Sequence, residues 1–170
     1  MGYVNITDIK QFIPPTVFGK TAGTWTLTTA AGLVYDVRTA ADAEFSILIP
    51  IPLPGSEVGL QGAKINAIDY WYRVSGAAHD DFAVVKLYKL TGSAHGSAPT
   101  ATEITGITLD TGHDTAAECK AVAHHKMTIT IDDPVFIAED TFYYVLMTID
   151  GAAASTHWSH FAQAHFTLRI

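Results

Sequence analysis

Positive charge is scarce in this sequence. Ten Lys and Arg stand against 17 Asp and Glu in 170 residues, a formal net charge of −7. No cluster of basic residues is present, which argues against a nucleic acid backbone or an anionic membrane surface as partner. Cysteine is nearly absent, and Cys119 alone leaves no intrachain disulfide. No apolar run approaches the roughly 18 residues of a membrane-spanning helix. The opening stretch MGYVNITDIK has no basic segment followed by an apolar run, so no signal peptide is expected. Ile6 stands where an N-myristoylation pattern requires Ser or Thr. Catalytic signatures are missing as well: there is no G-x-S-x-G, no P-loop and no G-x-G-x-x-G. The expectation is a non-enzyme made in the cytoplasm, with no catalytic residue, no metal and no cofactor.

What the chain does have is apolar and β-forming residues. Hydrophobic residues make up 48% and charged residues 16%, so the chain reads as one globular domain over 1–170, with residues 1–20 as a candidate extended arm. So little charge also points to surface covered by a partner or by copies of the chain itself. Helical periodicity is confined to TAADAE (39–44) and DTAAECKAVAHH (114–125). Alternating, Thr- and aromatic-rich stretches recur along the rest: TWTLTTA, GLVYDVRT, EFSILIPIPLPG, AKINAIDYWYRV, DFAVVKLYKLT, a weaker EITGITLD, HKMTITIDD, TFYYVLMTID and the terminal run. That makes about nine strands at sandwich spacing with no βαβ rhythm. The fold class is all-β, a two-sheet antiparallel sandwich of jelly-roll type. Stretches 63–74 and 81–91, around the turn SGAAHD, read as a hairpin. Pro50, Pro52 and Pro54 alternate, which removes donors from one edge and predicts a sheet-edge strand or a departure from the sheet.

Three histidines crowd the terminal stretch HWSHFAQAHFTLRI. Period-two alternation puts His157, Ser159, Phe161, Gln163, His165 and Thr167 on a mostly polar face. Trp158, His160, Ala162, Ala164, Phe166 and Leu168 fall on an apolar one. His157 and His165 would be roughly 26 Å apart at about 3.3 Å per residue, too far to share a metal ion. His157 and His165 are expected in solvent. His160, like His125, is expected at the edge of the core, with a pKa depressed below about 6.5 by burial. The segment HDTAAECKAVAHH gathers His113, Asp114, Glu118, Cys119, His124 and His125 without a recognised metal-site spacing. DYWYR, with Trp71 on one face and Tyr70 and Tyr72 on the other, has the aromatic content of a sugar-stacking platform. The candidate interface or ligand contacts are Trp71, Tyr72, Trp158 and His157.

The order of three long stretches, TWTLTTAAGLVYDVRTAADAEFSILIPIPL, GAKINAIDYWYRVSGAAHDDFAVVKLYKLT and HHKMTITIDDPVFIAEDTFYYVLMTIDGAAASTHWSHFAQAHFTLRI, resembles small jelly-roll-like structural proteins encoded in bacteriophage and environmental viral sequences. The resemblance covers most of the chain and brings no catalytic residues. It implies a self-assembling, virion-associated protein of the capsid-decoration or coat type, found in a virion or another extracellular assembly. The partners expected are itself, as a homo-oligomer and first of all a trimer, and other virion proteins. Two other functions fit the composition: a carbohydrate-binding β-sandwich module, from Trp25, Trp71, Trp158 and the tyrosines, and a cupin-like metal enzyme with histidines converging inside the barrel.

Overall fold

The computed structural model describes residues 6–53, 63–93, 97–138 and 141–169. These residues form twelve strands: β1 (Ile6–Ile13), β2 (Gly19–Lys20), β3 (Trp25–Ala30), β4 (Leu33–Arg38), β5 (Ala43–Ile51), β6 (Lys64–Gly76), β7 (Asp81–Thr91), β8 (Thr100–Ile104), β9 (Ile107–Leu109), β10 (His124–Phe136), β11 (Thr141–Gly151) and β12 (Ser155–Arg169). One short helix, α1 (Ala116–Cys119), precedes β10, and a 3₁₀ turn spans Pro15–Val17. Sheet A runs β3-β4-β12-β6-β10-β9, with β1 also paired to β12; sheet B runs β2-β5-β11-β7-β8.

The connectivity is that of a jelly roll. Number the eight long-range strands β4, β5, β6, β7, β8, β10, β11 and β12 from one to eight. Sheet A then contains the first, eighth, third and sixth side by side, and sheet B the second, seventh, fourth and fifth. The hairpin expected from 63–74 and 81–91 does not exist. β6 lies in sheet A and β7 in sheet B, so SGAAHD is a crossover between sheets. Adjacent strands with turn residues between them satisfy both geometries, and only the partner strands distinguish them. Gly76 opens this crossover at φ +84°, and an added Cβ would stand 2.3 Å from the Ala154 carbonyl oxygen, so a side chain is excluded there.

Alternation sorts each strand into an inner and an outer face. The inner set includes Ile47 and Ile49 of β5, Ile68, Tyr70 and Tyr72 of β6, Met127 and Ile129 of β10, and Val145, Met147 and Ile149 of β11, all fully buried. Pro50 behaves as expected of an edge. It pairs with Tyr144 of β11 on one side, while β2 on the other side reaches only Leu48 and Ile47. Pro52 has left the strand, and Pro54 lies outside the described residues. Of the segment read as an arm, residues 6–13 form β1, in antiparallel register with β12 from Ile6↔Arg169 to Ile13↔Ala162.

One irregularity decides where the functional side chains point. β12 pairs Ser159 with Tyr72 of β6 and then Phe161 with Trp71, leaving His160 as the extra residue of a β-bulge. The bulge flips the alternation. Ser155, His157 and Ser159 face the interior before it, and Ala162, Ala164 and Phe166 after it. The expectation of solvated His157 is therefore overturned: the residue is fully buried. An unbroken alternation cannot anticipate one inserted residue.

Candidate functional site

The outer face of sheet A carries the residues that can meet a ligand. In β1, Ile6, Asp8, Lys10 and Phe12 are exposed while the intervening residues turn inward. In β6 the outward set includes Ala67, Asp69, Trp71 and Arg73, and in β12 Trp158, His160, Phe161, Gln163, His165 and Thr167. Registers bring these into rows across the sheet. Lys126, Trp71 and Phe161 form one row, with Phe12 beside Phe161; the Trp71 and Phe161 rings stack at 4.4 Å, and Phe12 meets Phe161 at 5.4 Å. Lys126 stands over the Trp71 ring at 5.3 Å. A second row places the Arg73 guanidinium 4.9 Å from the Trp158 ring, which stacks on Tyr35 at 4.9 Å.

These rows decide which aromatic surface is open. Trp71 is in contact with the Phe161 ring and the Lys126 ammonium, and Trp158 with Tyr35 and Arg73. Both tryptophans are engaged within the protein by stacking and cation–π contacts. Phe12 is different: it lies on an edge strand, it has one described aromatic neighbour, and it is 59% exposed.

Next to Phe12 along β1 the sheet surface sinks into a groove of about 450 Å³. Asp8, Lys10, Asn66, Thr130, His165 and Thr167 supply its polar lining, with Ile9, Ala67, Ile131, Pro134 and Phe166 as the apolar part. The irregular stretch of β10 between Thr130 and Val135 opens it. Asn66 Nδ2 donates to Thr167 Oγ1, whose own proton goes to Asp8 Oδ1 at 2.9 Å. Among the described residues, the Asn66 carbonyl oxygen, the second Asp8 oxygen and the Lys10 ammonium have no partner. At one end His165 Nε2 donates to Asp69 Oδ2 at 3.1 Å. Burial alone would raise the Asp69 carboxyl, but hydrogen bonds from Thr128 and Lys126 and the neighbouring His165 outweigh it and hold it below the usual carboxylate range. Asp69 is therefore a fixed anion that orients His165.

The interior holds a second polar set, closed to solvent. Ser155 Oγ donates its one proton to the Ala152 carbonyl, so it accepts from His79 Nδ1 at 2.9 Å. Burial, with Arg38 and His125 adding to it, lowers the His79 pKa to about 4 and keeps the ring neutral. His79 Nε2 then accepts from His157 Nδ1 at 3.1 Å, and His157 Nε2 accepts from the Tyr70 hydroxyl at 2.9 Å. Ser159 completes the chain by donating to Tyr70 Oη at 2.8 Å. Burial holds His157 well below its ordinary pKa as well. Every proton in this chain has one direction, and each ring nitrogen has its partner. Arg38, fully buried beside it, rests 4.2 Å from the Phe45 ring and donates to the Ala41 and Ala43 carbonyls.

Of the four residues expected at an interface or ligand site, Trp71 and Trp158 are on the outer face. Tyr72 and His157 are sealed between the sheets and cannot contact a partner. For Tyr72, aromatic alternation left the choice of inner face open, and the sandwich takes it inward to stack on His125 at 4.5 Å. The metal-ligand types of 113–125 disperse. His113 bonds Asp110 and His125, Thr115 and Glu118 close a capping box on α1, Cys119 donates to the His113 carbonyl, and His124 is exposed. Among the described residues no three His, Cys, Asp or Glu side chains gather as metal ligands do. Burial pushes the Cys119 thiol up to about 11, away from thiolate chemistry. His125 and His160 both have lowered pKa values, chiefly by burial, but His160 lies on the outer face beside Tyr35 and His124. The groove residues of β1 escaped the sequence reading because the segment read as an arm, and both faces of ITDIKQFI mix polar and apolar residues, so no alternation marks it as a strand.

No protein-family model and no curated protein matches the chain. Among solved structures, TmCBM61 in complex with β-1,4-galactotriose aligns at a TM-score of 0.43 and 10% identity over 92% of this chain and 91% of that one. A carbohydrate esterase, vb_24B_21, from Shiga toxin-encoding bacteriophage phi24B aligns at 0.37 and 13% over 98% and 100%. A carbohydrate-binding module of the β-sandwich superfamily aligns at 0.36 and 10% over 92% of this chain and 55% of that one. At these scores what those proteins bind or cleave remains a property of those proteins.

Proposed function

We propose that this protein is a non-catalytic carbohydrate-binding module whose site is the groove beside Phe12 on the outer face of sheet A. The observation that carries the reading is the pairing of an open phenyl ring with a recess lined by mixed donors and acceptors. A sugar presents hydroxyls that both donate and accept, and an apolar C–H face. Asp8 accepts, Lys10 donates, and Asn66, Thr130 and Thr167 have atoms suited to both roles. Phe12 offers the ring on which the C–H face stacks. Eight of the eleven lining residues belong to β1 or β6, or lie in β12 between them, and the other three to β10, so the recess is built on a hydrogen-bonded sheet rather than on loops.

The test is calorimetric titration of the full chain with a panel of neutral and acidic oligosaccharides. Binding of at least one class is expected, lost in Phe12→Ala and in Asn66→Ala and retained in Phe142→Ala. A panel without heat of binding, or binding that survives both groove substitutions, overturns the assignment.

A further inference from the structure

The outer face of sheet B differs in kind from that of sheet A. In β11, Tyr143, Val145, Met147 and Ile149 are buried, so Phe142, Tyr144, Leu146 and Thr148 point outward. Register sets Leu90, Tyr88 and Lys86 of β7 against the first three, and Pro50 and Leu48 of β5 against Tyr144 and Leu146. Tyr88 and Tyr144 stack at 5.4 Å, and Phe142 is 66% exposed. Around this patch one ion pair is present among the described residues, Lys86 with Glu103 at 2.8 Å. Four strands about 4.8 Å apart and seven residues of about 3.4 Å each give a patch of roughly 450 Å² in projection, the size of the largest, often functional, patch on a protein surface.

We propose that two copies of this chain pack through this face about a two-fold axis. Two such patches bury roughly 900 Å², the size of a weak, concentration-dependent association. The charge pattern favours a second copy over a charged partner. The chain carries −7 overall, yet the patch holds one cation and one anion and is neutral. A two-fold axis running past Leu146 and the Tyr88–Tyr144 stack brings each onto its own equivalent, the self-complementarity an isologous contact requires. Aligned sheets pack about 10 Å apart, a spacing that flat, β-branched and aromatic faces fill. The groove of sheet A stays open on the far side of each copy.

Light scattering coupled to size-exclusion chromatography, with sedimentation velocity from low micromolar to near-millimolar concentration, tests this. The expected mass is twice the chain's 18.3 kDa at the upper end. Leu146→Arg should weaken association by about 30-fold or more, as loss of a central hot spot does. Phe12→Arg, on the opposite sheet, should leave the dimer intact. Circular dichroism monitors folding, and if Leu146→Arg fails to fold, Phe142→Ser at a largely exposed position carries the test. A wild-type monomer at every concentration, a trimer or larger species, or a dimer indifferent to both sheet B substitutions overturns the proposal.

Discussion

The two halves of the interior are held together by different physics. Where Ile47, Ile49, Ile68, Ile129 and Val145 meet, nothing is directional: stabilisation scales with apolar area removed from water, at about 25 cal/mol per Å². Where Ser155, His157 and Ser159 of β12 face His79 and Tyr70, each atom has one permitted partner and each hydrogen one permitted direction. The first half tolerates rearrangement as long as volume is kept. The second tolerates none, because a buried polar atom that loses its partner pays its full desolvation. Their juxtaposition teaches that one sandwich can be sealed by shape in one region and by proton bookkeeping in another.

The sharpest way to break this contrast is to remove its central histidine. His157→Leu strands His79 Nε2 and the Tyr70 hydroxyl, each costing about 1–3 kcal/mol. Ile49→Leu, equally buried but in the apolar half, should cost less than about 1.5 kcal/mol. Urea unfolding of both variants measures the difference, and equal losses would erase the distinction. Acid offers a second route. His79 and His157 have folded-state pKa values below the unfolded value of about 6.5, so below that pH the unfolded chain binds more protons. Stability should be level above about pH 6.5 and fall as pH drops toward 4, the folded value of His79, by up to about 1.4 kcal/mol per unit for each histidine. His157→Gln should flatten this acid limb in pH-dependent melting curves. Ser159→Ala is milder: Tyr70 still donates to His157 and loses only an incoming bond, for about 1 kcal/mol by the same denaturation assay. His160→Gln, half-buried on the outside of the bulge, should shift stability by no more than about 0.5 kcal/mol, measured by thermal melting.

How much of this was legible beforehand differs by level. The sandwich was, because alternation in HKMTITIDD and TFYYVLMTID survives intact in β10 and β11, with Met127, Ile129 and Val145 facing the core as the pattern requires. The edge role of Pro50 was, because a missing amide is a local fact. The polar interior was not. His157 and His160 exchange faces through a single extra residue in β12, and nothing in WSHF announces which of two adjacent residues the ladder will skip. The groove was not either, since it exists only where β1, β6, β10 and β12 converge, and each contributes one or two unremarkable polar residues. The partner sheet of β7 was equally invisible: a turn says that the chain reverses, not which sheet it joins.

β12 touches more of the molecule than any neighbouring strand: β6 along one side, and on the other β4 as far as Ser159, then β1 from Ala162. It also follows, in chain order, each of the three strands it pairs with. Until β12 is made, sheet A therefore has a gap between β4 and β6, and β1, the earliest of its three partners in the chain, waits longest. Such far-flung pairings carry the loop-closure cost that slows folding. The arrival of β12, more than any single contact, becomes the event that lets this sandwich close, and the time spent with an open centre is when it is most exposed to pairing with a neighbour.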